Sequence, residues 1–438
     1  VLRFEVLIIN NFLRGGAVSE AKAASKAWAV LAYTIAEDTA SSSPLDASAQ
    51  HELEAICGAA DFGRVSVAAQ VDFKQRRGVY RTAITEASEH RGFNDIDPAR
   101  NGLWQSILSG VDTEATSIRL QRDATDLNAA DADVLQDFLG FGRSACPADR
   151  YVVSFFGHAA GPLGVFSDAA SGQAAHDILR LPALVSAFRG SGNTASVIVF
   201  RDCFMNCLEA AYQLRGAAEF IVATQALAPA TGTWPWPAFM EGLTPDASPY
   251  SAGLTVAKAL AAYLDDPANR SHFGTVPYSL LDLGAMDGIA TRLAALSDAL
   301  EAARLDPARA RACGRALEAA RVGAPDDAKV PGDPALLDVP TMCGRLAALK
   351  GDPVAAPAIA LGRDVGSRLV RWHHSQTRDH LGTSVFYKPV RPEDLKRSYL
   401  QAEDETVARD DAESYRALAL SKATGWHRIA LHPLPIGD

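Results

Sequence analysis

Six cysteines in 438 residues, at positions 57, 146, 203, 207, 313 and 343, are too few and too scattered for a disulfide framework. No pair has the spacing of a zinc site. Cys203 and Cys207 lie four apart, but Cys203 falls just ahead of the helix it would have to share. Positive charge is also in deficit: 42 Lys and Arg against 52 Asp and Glu leave a net charge of -10. That balance argues against nucleic acid or an anionic membrane as partner, because phosphate binding needs clustered cations. No apolar run approaches the roughly 18 residues of a membrane span. Phosphate-cradling glycine loops, EF-hand-like loops, internal repeats and low-complexity tracts are missing too. His373, His374 and His380 do not match a metal-ligand spacing on one helix face. The opening stretch VLRFEVLIINNFL is broken by Arg3, Glu5 and two Asn, so residues 1–25 read as an arm or appended remnant rather than a signal peptide, which leaves the compartment open.

What is present is an ordinary globular composition, 48% hydrophobic and 21% charged. Runs of β-branched and aromatic residues predict strands over 26–38, 63–73, 149–158, 195–203 and 218–226. Between them, helical patterns run over 128–143, with Asn128 as cap, over 179–190, and over 204–216, stopped by Gly216. Strands alternating with helices predict an α/β fold with a mainly parallel sheet covered on both faces. After about residue 245 the texture turns to Ala- and Leu-rich helices with charged outer positions, and a late strand follows over 382–389. The expected division is therefore 1–25, an α/β region over 26–245, and a helical and β region over 246–438.

Ligand sites in such sheets lie at the carboxyl ends of the strands. Two strands end on reactive residues, His158 in SFFGHAAGP and Cys203 in FRDCF. A cysteine attacks as thiolate, and a nearby imidazole can take its proton. Placed at a helix N-terminus, Cys203 would have its thiol pKa lowered by the unpaired N–H groups. A cysteine in a strand-to-helix turn also reads simply as packing.

The segment FRDCFMNCLEAAYQL resembles the nucleophile segment of the clostripain-like cysteine peptidases, relatives of caspases, gingipains and legumain. Phe200, Cys203, Met205, Glu209, Ala211, Tyr212 and Leu214 carry the likeness. YVVSFFGHAAG is similar to the family's strand ending in a catalytic histidine, and further matches run in order to TGWHRIALHP near the end. The resemblance implies a caspase-like fold and a cysteine endopeptidase acting on polypeptides. It makes Cys203 the nucleophile and His158 the general base and acid. The backbone N–H groups of Cys203 and Ala159 would form the oxyanion hole. It implies no required cofactor, although some members depend on calcium, for which no site can be located in this sequence.

Three departures from the family pattern bear on specificity. Where the family places a carboxylate two residues before the nucleophile, this chain has Arg201, and the matching place for a second pocket acid is Thr231. Strand alternation would turn Arg201 to the same side as Cys203, with Asp202 turned away. An acidic or neutral residue before the cut then suits the pocket better than Lys or Arg, with Trp234 and Trp236 as walls. An internal salt bridge from Arg201 to Asp202 or Glu209 is the alternative. Several family members mature by self-cleavage at a basic residue, but residues 159–179 hold no Lys or Arg; Asp168 is the internal target an acid-selecting pocket would find there. The rival functional reading is a degenerate family member that binds peptides or a partner protein without cutting.

Overall fold

The structure, a computed structural model, describes residues 25–36, 45–61, 63–73, 76–84, 121–123, 128–167, 178–192, 194–228, 234–267, 276–323, 332–375, 381–391, 394, 398 and 405–437. Five strands open the fold: β1 (Lys26–Ile35), β2 (Val65–Phe73), β3 (Arg76–Ile84), β4 (Gln121–Asp123) and β5 (Ala148–Phe156). β6 (Val165–Ser167) and β7 (Ile178–Leu179) pair as a small hairpin beyond β5. β8 (Ala195–Phe200) and β9 (Ala218–Thr224) return to the main sheet. The chain then adds β10 (Tyr278–Asp282), β11 (Leu336–Asp338), β12 (Val370–His374) and β13 (Ser384–Phe386).

Among the described residues the main sheet has nine strands in the order β12-β10-β9-β8-β5-β1-β2-β3-β4. Its centre, β9-β8-β5-β1-β2, is parallel throughout, and the flanking pairs on both sides are antiparallel. The parallel centre is the expected α/β architecture. β10 and β12, from beyond residue 245, extend this sheet, β10 pairing on β9 and β12 on β10. The late strand β13 does not join it but pairs with β11 in a separate two-stranded ribbon.

Both faces of the central strands are dry, which is why these segments read as unbroken apolar runs. Val153, Phe155, Ile198 and Phe200 point into one core, with the helices Ala132–Ala145, Leu181–Gly190, Leu208–Leu214 and Met286–Ala303. Val152, Phe156, Val197 and Val199 point into the other, covered by Asp46–Ala59, Trp236–Glu241 and Pro249–Asp265. Each such fully buried side chain contributes about 1.5–3 kcal/mol of transfer free energy.

Element ends differ from expectation where polar local geometry intervenes. Asp131, not Asn128, caps the helix Ala132–Ala145, its carboxylate accepting from Asp133 N at 2.8 Å, while Asn128 accepts from Ala130 N at 2.9 Å in the turn before it. The helix expected from residue 204 begins only at Leu208. Phe204 is the reason: its φ of 60° is left-handed, which no helix continues through.

Candidate active site

β5 and β8 are adjacent and parallel, and Phe155 faces Phe200 in the last registered pair. Arg201 N still donates to Phe155 O at 2.9 Å. Three residues further along each strand stand His158 and Cys203, so a common register carries both reactive residues to one edge of the sheet. The two loops touch there. Gly161, at φ 50°, packs so closely that a Cβ would lie 3.0 Å from Phe204 O.

Cys203 sits in a tight turn between β8 and the following helix, not at a helix N-terminus. The expected helix-dipole activation of the thiol is therefore absent, since that effect fades beyond the first turn and Leu208 lies five residues on. Burial pushes the Cys203 thiol up to about 12, with the Asp202 charge acting in the same direction and a hydrogen bond from Ala228 N opposing both. That N–H lies 3.2 Å from Sγ. In this state Cys203 is a neutral thiol.

Ala159 is the residue expected to give the second N–H of the oxyanion hole. Ala159 bridges Val165, but the bonds of that bridge run from Phe166 N to His158 O (2.7 Å) and from Ala160 N to Gly164 O (3.0 Å). The Ala159 N–H stands outside the ladder. Only Phe166 and Phe204 among the described non-glycine residues have positive φ, so Ala159 holds an angle that a Cβ tolerates.

Arg201 does not face an open cleft. Strand alternation carries on past Phe200: like Val197 and Val199, Arg201 turns to the second sheet face, where its side chain is fully buried in the core. Its guanidinium pairs with the Glu52 carboxylate and lies over the rings of Phe156 (4.7 Å) and Trp234 (5.5 Å). The internal salt bridge exists, but its partner is neither Asp202 nor Glu209. Glu209 instead accepts from Phe386 N (2.9 Å) and Tyr415 Oη (2.7 Å). Glu52 escaped the sequence reading although a signal was there: it falls on the inward stripe of its helix, three residues after Ala49 and four before Ile56, both buried.

Asp202 is fully buried, and neither of its carboxylate oxygens has a hydrogen-bond partner among the described residues. Burial holds its carboxyl well above the usual range against the pull of Arg201. Asp202, Glu52, Arg201 and Cys203 all act electrostatically on Tyr278, so these groups share one neighbourhood beneath the nucleophile. Trp234 is buried there edge-on to Tyr278, at 5.7 Å between ring centres. Thr231, Asp168 and His380 lie outside the described residues. His374 pairs with Asp265 at 2.9 Å on the sheet's edge strand, away from the site.

A second set of residues that sequence reasoning missed holds the nucleophile turn from the other side. Asn206 Nδ2 donates to Gly382 O (2.7 Å), and Ser384 N returns a bond to Asn206 O (3.1 Å). Gln225 donates to Asp338 Oδ2 (3.1 Å) and accepts from Gly382 N (3.1 Å). Among the described residues no group of three or more His, Cys, Asp or Glu side chains could hold a metal ion. No described helix is long and apolar enough to cross a membrane.

Residues 109–314 match the clostripain family, peptidase family C11. No curated protein sequence matches the chain. Among solved structures, a secreted C11 cysteine protease from Bacteroides thetaiotaomicron in complex with an irreversible peptide inhibitor is similar at TM-score 0.60 and 17% identity, covering 92% of this chain and 99% of that one. An inactive zymogen C11 protease from Parabacteroides distasonis is similar at TM-score 0.60 and 18% identity, over 91% and 98% of the two chains. At these identities the likeness carries the fold.

Proposed function

We propose that the chain, whose residues 109–314 match the clostripain family, is a cysteine endopeptidase that cuts polypeptides through a Cys203–His158 dyad. The supporting observation is the shared register that brings the two residues three positions past Phe155 and Phe200 on adjacent parallel strands. Cys203 Sγ attacks the scissile carbonyl as its proton passes to His158, and the developing oxyanion accepts from the N–H groups of Cys203 and Ala159. His158 then gives the proton to the leaving amine, and water, deprotonated by His158, releases the thioacyl chain. Because burial leaves the resting thiol neutral, the transfer to His158 accompanies attack instead of preceding it. With Arg201 and Thr231 standing where the family pattern has two carboxylates, substrates with an acidic or uncharged residue before the cut are preferred over those with Lys or Arg.

The test is a peptide-hydrolysis assay on the purified chain. Cys203→Ala and His158→Ala should each lower kcat/KM by about 10³-fold or more, with circular dichroism unchanged. Cys207→Ala should keep activity, since Cys207 is buried where the helix Leu208–Leu214 begins. Full activity in Cys203→Ala overturns the assignment. The neutral thiol, capped by Ala228 N–H, favours one rival, a non-cutting peptide-binding member. Saturable peptide binding without hydrolysis, unaltered by Cys203→Ala, would establish that reading.

A further inference from the structure

From Ala195 to Tyr212 every residue is buried except Cys203, which keeps a partly exposed surface. The turn that follows it passes through Phe204, whose φ of 60° is costly for a residue with a Cβ. Such an angle persists only where the surroundings over-determine it. The bonds that do so lie on both sides of the turn. Phe204 N donates to Ala226 O (3.0 Å) and Asn206 N to Thr224 O (2.9 Å), which ties the turn to the end of β9. Asn206 O accepts from Ser384 N (3.1 Å) and Ser384 Oγ (3.0 Å), and Asn206 Nδ2 donates to Gly382 O (2.7 Å), which ties it to the start of β13. Phe204 and Met205 are apolar, so Asn206 is the one residue between Cys203 and Cys207 with a side-chain N–H to give. Gly382 and Ser384 lie beyond the family-matched residues 109–314.

We propose that Asn206 is a positioning residue for peptide cleavage: by holding the turn against the start of β13 it keeps Phe204 left-handed, and so keeps Cys203 placed beside the His158 loop. The inference rests on the reading of Cys203 as the nucleophile. Gly161 carries the effect across to the histidine. A Cβ there would stand 3.0 Å from Phe204 O and 3.2 Å from Phe204 Cβ, so the two loops fit each other only with Phe204 as it is. Without its Nδ2 bond the turn loses its own side-chain tie to β13 and can relax towards negative φ. Asn206 is buried and touches no reacting atom. Its effect is one of placement, and a shift of about 1 Å at a reacting group costs on the order of 10²-fold in rate.

Steady-state peptide hydrolysis and hydrogen exchange by mass spectrometry test it on wild type, Asn206→Ala, Asn206→Asp and Asp306→Ala. Aspartate keeps the shape of asparagine but has no N–H for Gly382 O. Asp306 caps the distant helix Pro307–Glu318, so its loss lowers stability without touching the turn. Both Asn206 variants should lower kcat by about 10- to 100-fold with KM unchanged. Their amides should exchange faster over residues 201–208 and 224–228. Asp306→Ala should keep the wild-type kcat and the wild-type exchange in those two segments. Should Asn206 variants fail to fold, Ser384→Ala carries the test: it removes the Oγ bond to Asn206 O and leaves the Ser384 N bond, and kcat should fall by a smaller factor with KM again unchanged. Folded Asn206 variants, or a folded Ser384→Ala, with the kcat of Asp306→Ala overturn the proposal and leave the network a purely structural one. Activity that survives Cys203→Ala, or a wild type that hydrolyses no peptide, overturns the nucleophile reading, and the proposal falls with it. Activity lost in Cys203→Ala but kept in the Asn206 variants overturns the proposal alone.

Discussion

Two buried aspartates flank the nucleophile turn and are treated in opposite ways. Asp338, fully buried on the side of the C-terminal segments, accepts from Thr341 N (2.8 Å), Leu381 N (2.7 Å) and Gln225 Nε2 (3.1 Å). Asp202, equally buried on the side of the Arg201–Glu52 pair, accepts from no group among the described residues. Burial raises the pKa of both. The hydrogen bonds are what differ, and they decide whether a buried carboxyl anchors a fold or weakens it. On the Asp338 side three segments distant in sequence are tied together behind the turn. On the Asp202 side stability is given up where the Arg201–Glu52 pair and the nucleophile meet, which is where strained and unsatisfied groups concentrate in enzymes.

The largest effect that would sharpen this contrast is expected from Asp338→Ala. Orphaning three donors should destabilise the protein by about 3 kcal/mol or more in urea denaturation at pH 7. A loss smaller than that seen in any Asp202 variant would erase the distinction.

Asp202→Ala should act in the other direction, raising stability by about 1–2 kcal/mol at pH 8. The sign follows from linkage. The folded chain keeps the Asp202 proton above the pH, about 3.9, at which the unfolded chain releases it, so the folded state binds more protons. Wild-type stability then falls as pH rises from that value through the raised folded pKa, and the variant lacks this decline. The gain should vanish near pH 4; thermal melts across pH 4–8 read it directly. A variant less stable than wild type at pH 8 would show that Asp202 is anchored after all. The smallest effect belongs to Tyr415→Phe, which removes one of the hydrogen bonds to Glu209 and should cost about 1 kcal/mol by urea denaturation.

Much of the fold was readable because burial on both faces is written locally, as the apolar runs that became β1, β2, β5, β8 and β9. β10 and β12 were not anticipated, since they are short, and what makes them strands is pairing, β10 on β9 and β12 on β10. The late segment 382–389 was recognised as a strand, but its pairing with β11 instead of the main sheet was set by a partner some fifty residues away. Phe204 ended the expected helix through a backbone angle that its residue type does not announce.

The site divides along the same line. Sequence alone determined that His158 and Cys203 stand at strand ends, and the resemblance assigned their roles, because each depends on a short contiguous pattern. Tertiary structure alone decided the charge beside the nucleophile turn. Arg201 reads as a free cation in FRDCF, and it becomes half of a neutral pair only because a helix 149 residues upstream brings Glu52 against it. An ion pair is a matter of distance and excluded water, and neither is a property of the chain until it folds.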